Sequence, residues 1–541
     1  MSRPAALLFA LLVALLALAP GIAALPPLDR DESRFAQASK QMVETGDLVD
    51  IRFQEEPRYK KPVGAYWLQA ASATVFASDR IWSYRLPSLL AIAGSAAIVF
   101  ALGRLLFGGA AAGYAGLFAA VTLMAALEAR QAKSDALLLV TVLLAQWALA
   151  RHYLAARAGS GRPYWGWRVL LWAALGLGIL VKGPIAPLVS VLTVIALSLL
   201  DRDWRWWRSA TPAWGPFLTA VIAAPWLIAI GIATKGAFFA EALGHDLGAK
   251  LAGGQESHGA PPGYYILLLA LTAWPGALLL PQAVEFIRVN WRKPPVRFCL
   301  SWIIPAWLMF EAVPTKLPHY VLPLLPAVIL LATAALSGDR SAVPAPAWSR
   351  RLEAVLKYWV LAGGLLVGGA VLAAPLAVGA PPEALLLAVP AALAAWAGTL
   401  LVWAGGLRRQ RQWIGMGLGA TALALGLVFG FVGPALQPLW ISRDLAHLIR
   451  SADPAGSAPV LLAGYSEPSA IFLLGTATRL GDGAAAAQAL MTRAASIVAV
   501  SGDQESAFQA ALSGASVRTL GTVEGLNYSR GKKTTLTVYT R

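Results

Sequence analysis

The 541-residue chain is short of almost everything that keeps an enzyme in water. Charged residues make up 13% of it against 58% hydrophobic, more apolar surface than one aqueous core can enclose. A bilayer is the solvent this composition requires. A single cysteine, Cys299, excludes a disulfide framework and a thiolate metal cluster. Acidic residues are also scarce, 28 against 44 basic ones, for a formal net charge of +16. Such an excess can mark nucleic-acid binding, but here the Lys and Arg residues are scattered between apolar runs rather than gathered on one face. Nucleic acid is therefore not an expected partner, whereas anionic lipid head groups are.

What is present is a long series of apolar runs, near residues 5–24, 86–107, 110–127, 135–155, 166–181, 183–200, 213–234, 263–286, 296–312, 318–337, 355–376, 383–404 and 412–433. They predict an all-α polytopic membrane protein of about thirteen transmembrane helices, the first retained rather than cleaved as a leader. Basic residues gather in alternate loops, among them Arg151, Arg157 and Arg168, then Arg202, Arg205 and Arg208, then Arg288, Arg292 and Lys293, then Arg408, Arg409 and Arg411. The positive-inside bias assigns those loops to the cytoplasm and leaves residues 25–85, 235–262 and everything after 434 on the opposite face. Two domains are expected: a membrane domain over 1–433 and a small α/β domain over 434–541. In the latter, apolar runs shorten to strand length, as in Val460-Leu461-Leu462 and Ser496–Val500, and alternate with short amphipathic helices at 483–492 and 503–513. Its segments Gly464–Ser469 and Asn527–Gly531 read as structural turns.

The first outer loop, about sixty residues where a few would connect two helices, is the first place to seek function. It opens Leu28-Asp29-Arg30-Asp31-Glu32-Ser33-Arg34-Phe35 and closes Arg58-Tyr59-Lys60-Lys61-Pro62-Val63-Gly64-Ala65-Tyr66-Trp67. Between them Phe35, Ala36, Ala38, Ser39, Met42 and Val43 recur at helical spacing, which predicts an amphipathic helix on the membrane surface. Carboxylates with cations suit group transfer from a lipid phosphate: the carboxylate takes a proton from an acceptor hydroxyl and the cations stabilise the departing phosphate. A solvated charged loop would carry the same residue types. The balance moves toward a site because Lys133, Asp135, Lys182 and Lys316 stand at outward turns, where the positive-inside bias disfavours cations. The other outer loop carries His245 and His258 with acidic neighbours. A divalent metal and plain substrate hydrogen bonding are both open for them, since the spacing fits no zinc pattern.

Seven short segments, in order, resemble one family. Asp31-Glu32-Ser33-Arg34-Phe35-Ala36 looks like its Asp-Glu-x-Arg-Tyr-Ala motif, Gly46-Asp47 like its Ser/Thr-Gly-Asp turn, and Lys61-Pro62 with Tyr66-Trp67 like its Lys-Pro…Tyr-Trp segment. Ala129-Arg130 with Asp135, Lys182-Gly183-Pro184, His258-x-x-Pro261-x-x-Tyr264-Tyr265 and Lys316-Leu317-Pro318-His319-Tyr320-Val321-Leu322-Pro323 follow. The family is the aminoarabinose transferase group of lipid A modification, within the GT-C class of membrane glycosyltransferases, protein O-mannosyltransferases included, that use polyprenyl-phosphate sugars. The resemblance implies an inner-membrane enzyme, a monomer, with its site and C-terminal domain in the periplasm. It implies a polyprenyl-phosphate (undecaprenyl-phosphate) sugar donor and a lipid or glycan acceptor, most readily lipid A or another lipopolysaccharide or cell-surface glycan, with no certain cofactor beyond a divalent metal ion left open. It further implies Asp31, Glu32 and Asp135 as catalytic carboxylates, Asp31 being the base. Arg34, Lys61, Lys182 and Lys316 would bind the carrier phosphate, and Tyr264 and Tyr320 would line the pocket. One departure stands out: the family's Glu-Lys-Pro is here Lys60-Lys61-Pro62, which suits a neutral or acidic sugar better than a cationic one. The rival class is a transporter of lipid-linked sugar, whose ionisable groups belong near the bilayer midplane between repeated halves. No repeated half is apparent.

Overall fold

The computed structural model describes residues 3–76, 79–161, 163–248, 259–336, 345–456 and 458–541. Among them six helices are long and apolar enough to cross a membrane: Ile81–Phe107, Asp135–Ala158, Trp214–Ala233, Ala347–Val378, Pro382–Arg408 and Arg411–Ala435. A seventh span is formed if Tyr264–Thr272 and Gly276–Asn290, bent by 102° at their junction, count as one. The chain is thus a mostly helical, multi-pass membrane protein. Burial separates the inner wall from the lipid face: 72% of the apolar stretch of Asp135–Ala158 is buried, against 17% for Trp214–Ala233, where Phe217, Ile228 and Ile232 are exposed.

The remaining apolar runs form shorter or broken helices, which is why the expected thirteen full spans do not all appear. We number the first nine helices α1 (Arg3–Leu18), α2 (Asp31–Thr45), α3 (Gly64–Val75), α4 (Ile81–Phe107), α5 (Gly109–Val121), α6 (Leu123–Glu128), α7 (Asp135–Ala158), α8 (Gly166–Lys182) and α9 (Ile185–Asp201). The run at 110–127 breaks between α5 and α6, where Thr122 turns extended at ψ 129°. The freed Leu123 N–H donates to the Trp274 carbonyl at 2.8 Å, as a backbone group away from water must. The run at 318–337 begins as a 3-10 turn, Pro318–Leu324, before the helix Leu325–Ala334, because its closely spaced prolines lack the N–H a continuous α-helix needs. Arg130 ties α1 in place: buried, it donates to the Pro20, Ala126 and Ala17 carbonyls and stacks 4.3 Å from the Phe429 ring.

The first long loop folds as α2, a two-strand hairpin (β1, Arg52–Phe53, and β2, Glu56–Pro57) and α3. Gly46 closes α2 at φ 73°, its N–H bonded to the Met42 carbonyl, and Asp47 Oδ1 accepts from the Val49 and Asp50 N–H groups. That segment is a turn, and its glycine is there for the left-handed conformation.

The tail forms one sheet of five strands, β3 (Val460–Ala463), β4 (Arg479–Gly481), β5 (Ile497–Ser501), β6 (Arg518–Asn527) and β7 (Lys532–Thr540), in the order β4-β3-β5-β7-β6. The first three are mutually parallel, and β7 runs antiparallel to both β5 and β6. Alternation along the strands supplies two apolar faces. Leu462, Ala499 and Val538 pack on the helix Ile441–Ala452, while Leu461, Val498 and Val500 pack with Leu490, Phe508 and Leu512.

This sheet domain sits on α2, so that helix lies between bundle and tail rather than open on the membrane surface as its amphipathic pattern predicts. Its apolar side packs inward, with Phe35 stacked on Tyr66 at 4.7 Å. Its polar side meets the tail: Gln37 Nε2 donates to Thr476 Oγ1, which donates to Glu44 Oε2, and Lys40 Nζ reaches the Phe472 carbonyl. Phe472 enters a small apolar cluster with Ala36, Ala73, Ile81, Tyr84 and Ala132.

Candidate active site

The site is assembled where α2, α7 and α8 meet. Asp31 opens α2 with its side chain 57% exposed and Arg58 Nη2 3.9 Å away. Crowding by the surrounding chain pushes its pKa up, but Lys133 and Arg58 more than offset this and hold it below the ordinary carboxylate value. Asp31 is therefore an ionised, accessible carboxylate. Arg58, itself buried, lies 5.2 Å from the centroid of the Phe35 ring, so the Phe35–Tyr66 stack is the shelf that sets the guanidinium beside Asp31.

Glu32, one residue on, points the other way. It is 1% exposed and takes Arg85 in a two-pronged bond, Nε to Oε1 at 2.7 Å and Nη2 to Oε2 at 2.8 Å. The Ala132 and Leu28 N–H groups complete its acceptor set at 2.9 and 2.8 Å. Arg85 spends its remaining donors on the Ile22, Leu25 and Pro26 carbonyls. The pair staples the start of the outer loop to α4 and to the turn before α7.

Asp135 starts α7, buried, and is ion-paired with Lys182 at the end of α8; His319 Nε2 is 3.8 Å from its other oxygen. An acid in the first turn and a lysine in the last turn each match their helix dipole. Lys182 also lies 5.3 Å from the Tyr320 ring centroid, and Lys133 is paired with Glu128 at 2.9 Å. Gly183 ends α8 directly after Lys182 at φ 63°, a conformation open to glycine.

The other predicted residues are placed less uniformly. Lys61, half-buried, donates to the Lys60 carbonyl at 3.0 Å. Arg34 is half-buried and makes no ion pair among the described residues. Lys316 is 3% exposed and points its ammonium at the Val313 and Ala260 carbonyls, at 2.8 and 2.9 Å; two of its three donors secure backbone. Tyr264 packs edge-on against Tyr265 at 5.3 Å. Both lie at the start of a helix whose Gly263 and Tyr265 N–H groups are held by Glu311. His258 lies outside the described residues, as does the side chain of His245. Among the described residues no group of three or more His, Cys, Asp or Glu is arranged to hold a metal ion.

Sequence reasoning passed over Arg58, Glu128, His319 and Arg85; Lys133 stood among the outward cations but not among the residues the family resemblance implies for the carrier phosphate. Lys133 and His319 carried a signal, as an outward cation and as part of the Lys-Leu-Pro-His-Tyr segment. Arg85 stood as the last residue of the long loop, just before the apolar run at 86–107, and nothing local pairs it with Glu32.

Gly64 links the Lys-Pro segment to this centre. A Cβ there would stand 2.8 Å from the Leu180 carbonyl oxygen, backbone that cannot yield cheaply. Gly64→Ala, which helix propensity alone would make stabilising, is expected to cost about 1–3 kcal/mol; thermal unfolding in detergent measures it, and activity falls with it as Lys182 is displaced.

A second expectation concerns the tail contact. Ser469 N–H donates to Asp29 Oδ1 at 3.2 Å and Asp29 N–H to the Tyr528 hydroxyl at 2.7 Å. Burial, with the like charge of Glu467 adding to it, raises the Asp29 carboxyl to about 6, against the lowering effect of the Ser469 and Tyr528 bonds. A carboxyl raised on docking binds its proton more tightly in the docked state. Its contribution is fully present below the ordinary carboxylate pKa and is lost as pH rises through about 6. Hydrogen exchange at residues 28–31 and 527–530 should speed up from pH 5 to 7 by about tenfold beyond the intrinsic rate change. Asp29→Asn should flatten that response.

This helical membrane bundle, with an ionised carboxylate and paired cations at one end and an α/β tail packed on its first long loop, is similar in part of its sequence and in its fold to known membrane glycosyltransferases. Residues 60–228 match the dolichyl-phosphate-mannose-protein mannosyltransferase family. Over 338 residues the chain is 31% identical to the undecaprenyl phosphate-alpha-4-amino-4-deoxy-L-arabinose arabinosyl transferase of Pseudomonas paraeruginosa, covering 61% of this chain and 60% of that relative. It is 28% identical over 441 residues to the protein of the same name from Pectobacterium carotovorum, covering 78% and 75%. The match thus spans about 60% of the length of the first relative. The crystal structure of ArnT from Cupriavidus metallidurans bound to undecaprenyl phosphate has the same fold, with a TM-score of 0.73 over 98% of this chain and 97% of that one, at 20% identity.

Proposed function

We propose that the chain transfers a sugar from an undecaprenyl-phosphate-type carrier to an acceptor hydroxyl on lipid A or another lipopolysaccharide or cell-surface glycan. The observation that carries this is Asp31: ionised, exposed, and facing Arg58 and Lys133 at the same end of the bundle as Lys182. In the reaction Asp31 takes the proton of the acceptor hydroxyl as its oxygen bonds to the anomeric carbon. The bond from that carbon to the carrier phosphate breaks through an oxocarbenium-like transition state. The electron pair leaves on the phosphate, where Lys61, Arg34, Arg58, Lys133 and Lys182 stabilise it, with the third donor of Lys316. Asp135 acts by aiming Lys182, and Glu32 by fixing the loop through Arg85. Tyr320 and Tyr264 line the sugar side. The names of the similar proteins support a lipid-phosphate donor.

In this reading the protein is an inner-membrane monomer of about thirteen helical crossings, counting the short and broken ones. Residues 1–433 form the membrane domain, 434–541 are periplasmic, and the site faces the periplasm. Orientation rests on the basic loops; the Asp201–Arg297 ion pair lies at the opposite end of α7 from Asp135, beside Tyr153. A protein acceptor is the second reading, favoured by the mannosyltransferase match over 60–228.

Mass spectrometry of lipid A, core glycan and secreted proteins, from cells with and without the gene, tests both. A sugar-sized mass that vanishes on deletion and returns with wild type but not Asp31→Asn identifies sugar and acceptor. Unchanged masses in every fraction would overturn the proposal, and sugar-lipid movement without product would put a transporter in its place.

A further inference from the structure

The chain turns sharply just before Asp31, and the turn is strained. Arg30 has φ 64° and ψ −118°. Other non-glycine residues with positive φ beside helices, Arg202, Arg409 and Ser513, have ψ between 32° and 37° and sit in the ordinary left-handed well. Arg30 does not, and such a backbone persists only where its surroundings fix it.

Two sets of bonds do so. From the bundle side, Glu32 accepts the Leu28 N–H at 2.8 Å and Ser33 Oγ donates to the Leu28 carbonyl at 2.5 Å. From the tail, the Tyr528 hydroxyl accepts the Asp29 N–H at 2.7 Å, the Ser529 carbonyl accepts Arg30 Nη2 at 2.6 Å, and the Ser469 N–H donates to Asp29 Oδ1 at 3.2 Å. The Tyr528 ring stands edge-on to Trp440 at 6.5 Å, so the hydroxyl is presented by a side chain that is itself braced. Residues more than 430 positions away in sequence therefore hold the two residues immediately before the candidate base.

We propose that Tyr528, acting with the Ser529 carbonyl and the Ser469 N–H, is a positioning residue: the tail keeps the Asp29–Arg30 turn strained so that the Asp31 carboxylate is aimed at the acceptor hydroxyl. This rests on the role given to Asp31 above. Among the described residues Tyr528 bonds Asp29 and packs on Trp440 and not on the phosphate cluster, so its effect falls on base geometry and not on carrier binding. The hydroxyl deletion leaves a partly exposed ring in place, and the fold survives it.

The test uses full-length protein carrying Asp31→Asn, Tyr528→Phe, Arg30→Gly, or Tyr528→Phe with Arg30→Gly. Transfer is read in cells by mass spectrometry at matched expression, and the affinity for undecaprenyl phosphate is read in detergent. Tyr528→Phe should lower transfer by about 10- to 100-fold, the scale of a slightly misplaced catalytic group, with undecaprenyl phosphate affinity unchanged. Glycine at position 30 removes the strain, so the double variant should recover to the level of Arg30→Gly alone; a merely structural tyrosine would not be rescued this way. Wild-type transfer in Tyr528→Phe beside an inactive Asp31→Asn would overturn the inference and leave the function intact. So would a loss that Arg30→Gly fails to rescue, or one explained by weaker carrier binding. Full transfer in Asp31→Asn would overturn the function itself.

Discussion

Asp31→Asn should abolish measurable transfer, a fall of about 10²–10⁴-fold for loss of a general base, while the protein is produced and melts as wild type does. The separation follows from the geometry. The Asp31 side chain is 57% exposed and its ion-pair partner is 3.9 Å away, so the neutral amide removes little folding energy. Asp31→Glu is the sharper comparison, since it keeps the charge and moves it by one methylene; activity well below wild type but above that of the amide would mark position as well as charge. Because Lys133 and Arg58 hold the Asp31 pKa down, the acid limb of the rate profile should lie below the ordinary carboxylate range. Lys133→Met should move that limb upward.

The neighbouring carboxylate should behave in the opposite way. Arg85→Met leaves Glu32 charged, 1% exposed and without its cation, and breaking a buried pair on one side costs about 3–5 kcal/mol. Most of the protein's stability is at stake, since whole domains are stable by only about 5–15 kcal/mol. The expected result is poor yield and a melting transition lowered by many degrees in detergent. Glu32→Gln should be milder than Arg85→Met, because Arg85 keeps three backbone carbonyls as partners. Changing both residues to an apolar pair should recover part of the loss; no recovery would show that the four hydrogen bonds at Glu32, rather than its charge, hold the loop.

This contrast marks the limit of what the sequence discloses. Asp31 and Glu32 are adjacent acids in one motif, and only the start of α2 turns one toward solvent and the other toward a residue 53 positions away. Asp135 and Lys182 stood out as groups of the expected type at outward turns, and they meet in one ion pair. Lys316 carried the same signal, yet its ammonium is turned onto two carbonyls, Val313 at the end of the helix Pro294–Ala312 and Ala260 in a separate segment. Hydropathy marks where helical segments lie, because an apolar run needs an apolar solvent whatever its neighbours do. It does not mark the breaks at Thr122 or before Leu325, which depend on partners supplied by other segments. The tail's grip on Asp29 and Arg30 joins residues too far apart for any local pattern to register, and its turn at Asn527–Gly531 is a contact surface as well as a turn.

The break between α5 and α6 bears on how the protein is made. Leu123 donates to Trp274, which sits at the 102° bend between Tyr264–Thr272 and Gly276–Asn290. Two interrupted apolar segments thus complete each other, and the second leaves the ribosome long after the first. Until it arrives, the earlier segment has no partner for its exposed amide and does better as an uninterrupted helix. Insertion of the first half and its final shape should then be separate events in time, and a chain halted before Trp274 is expected to hold a straighter segment at 109–128 than the finished protein.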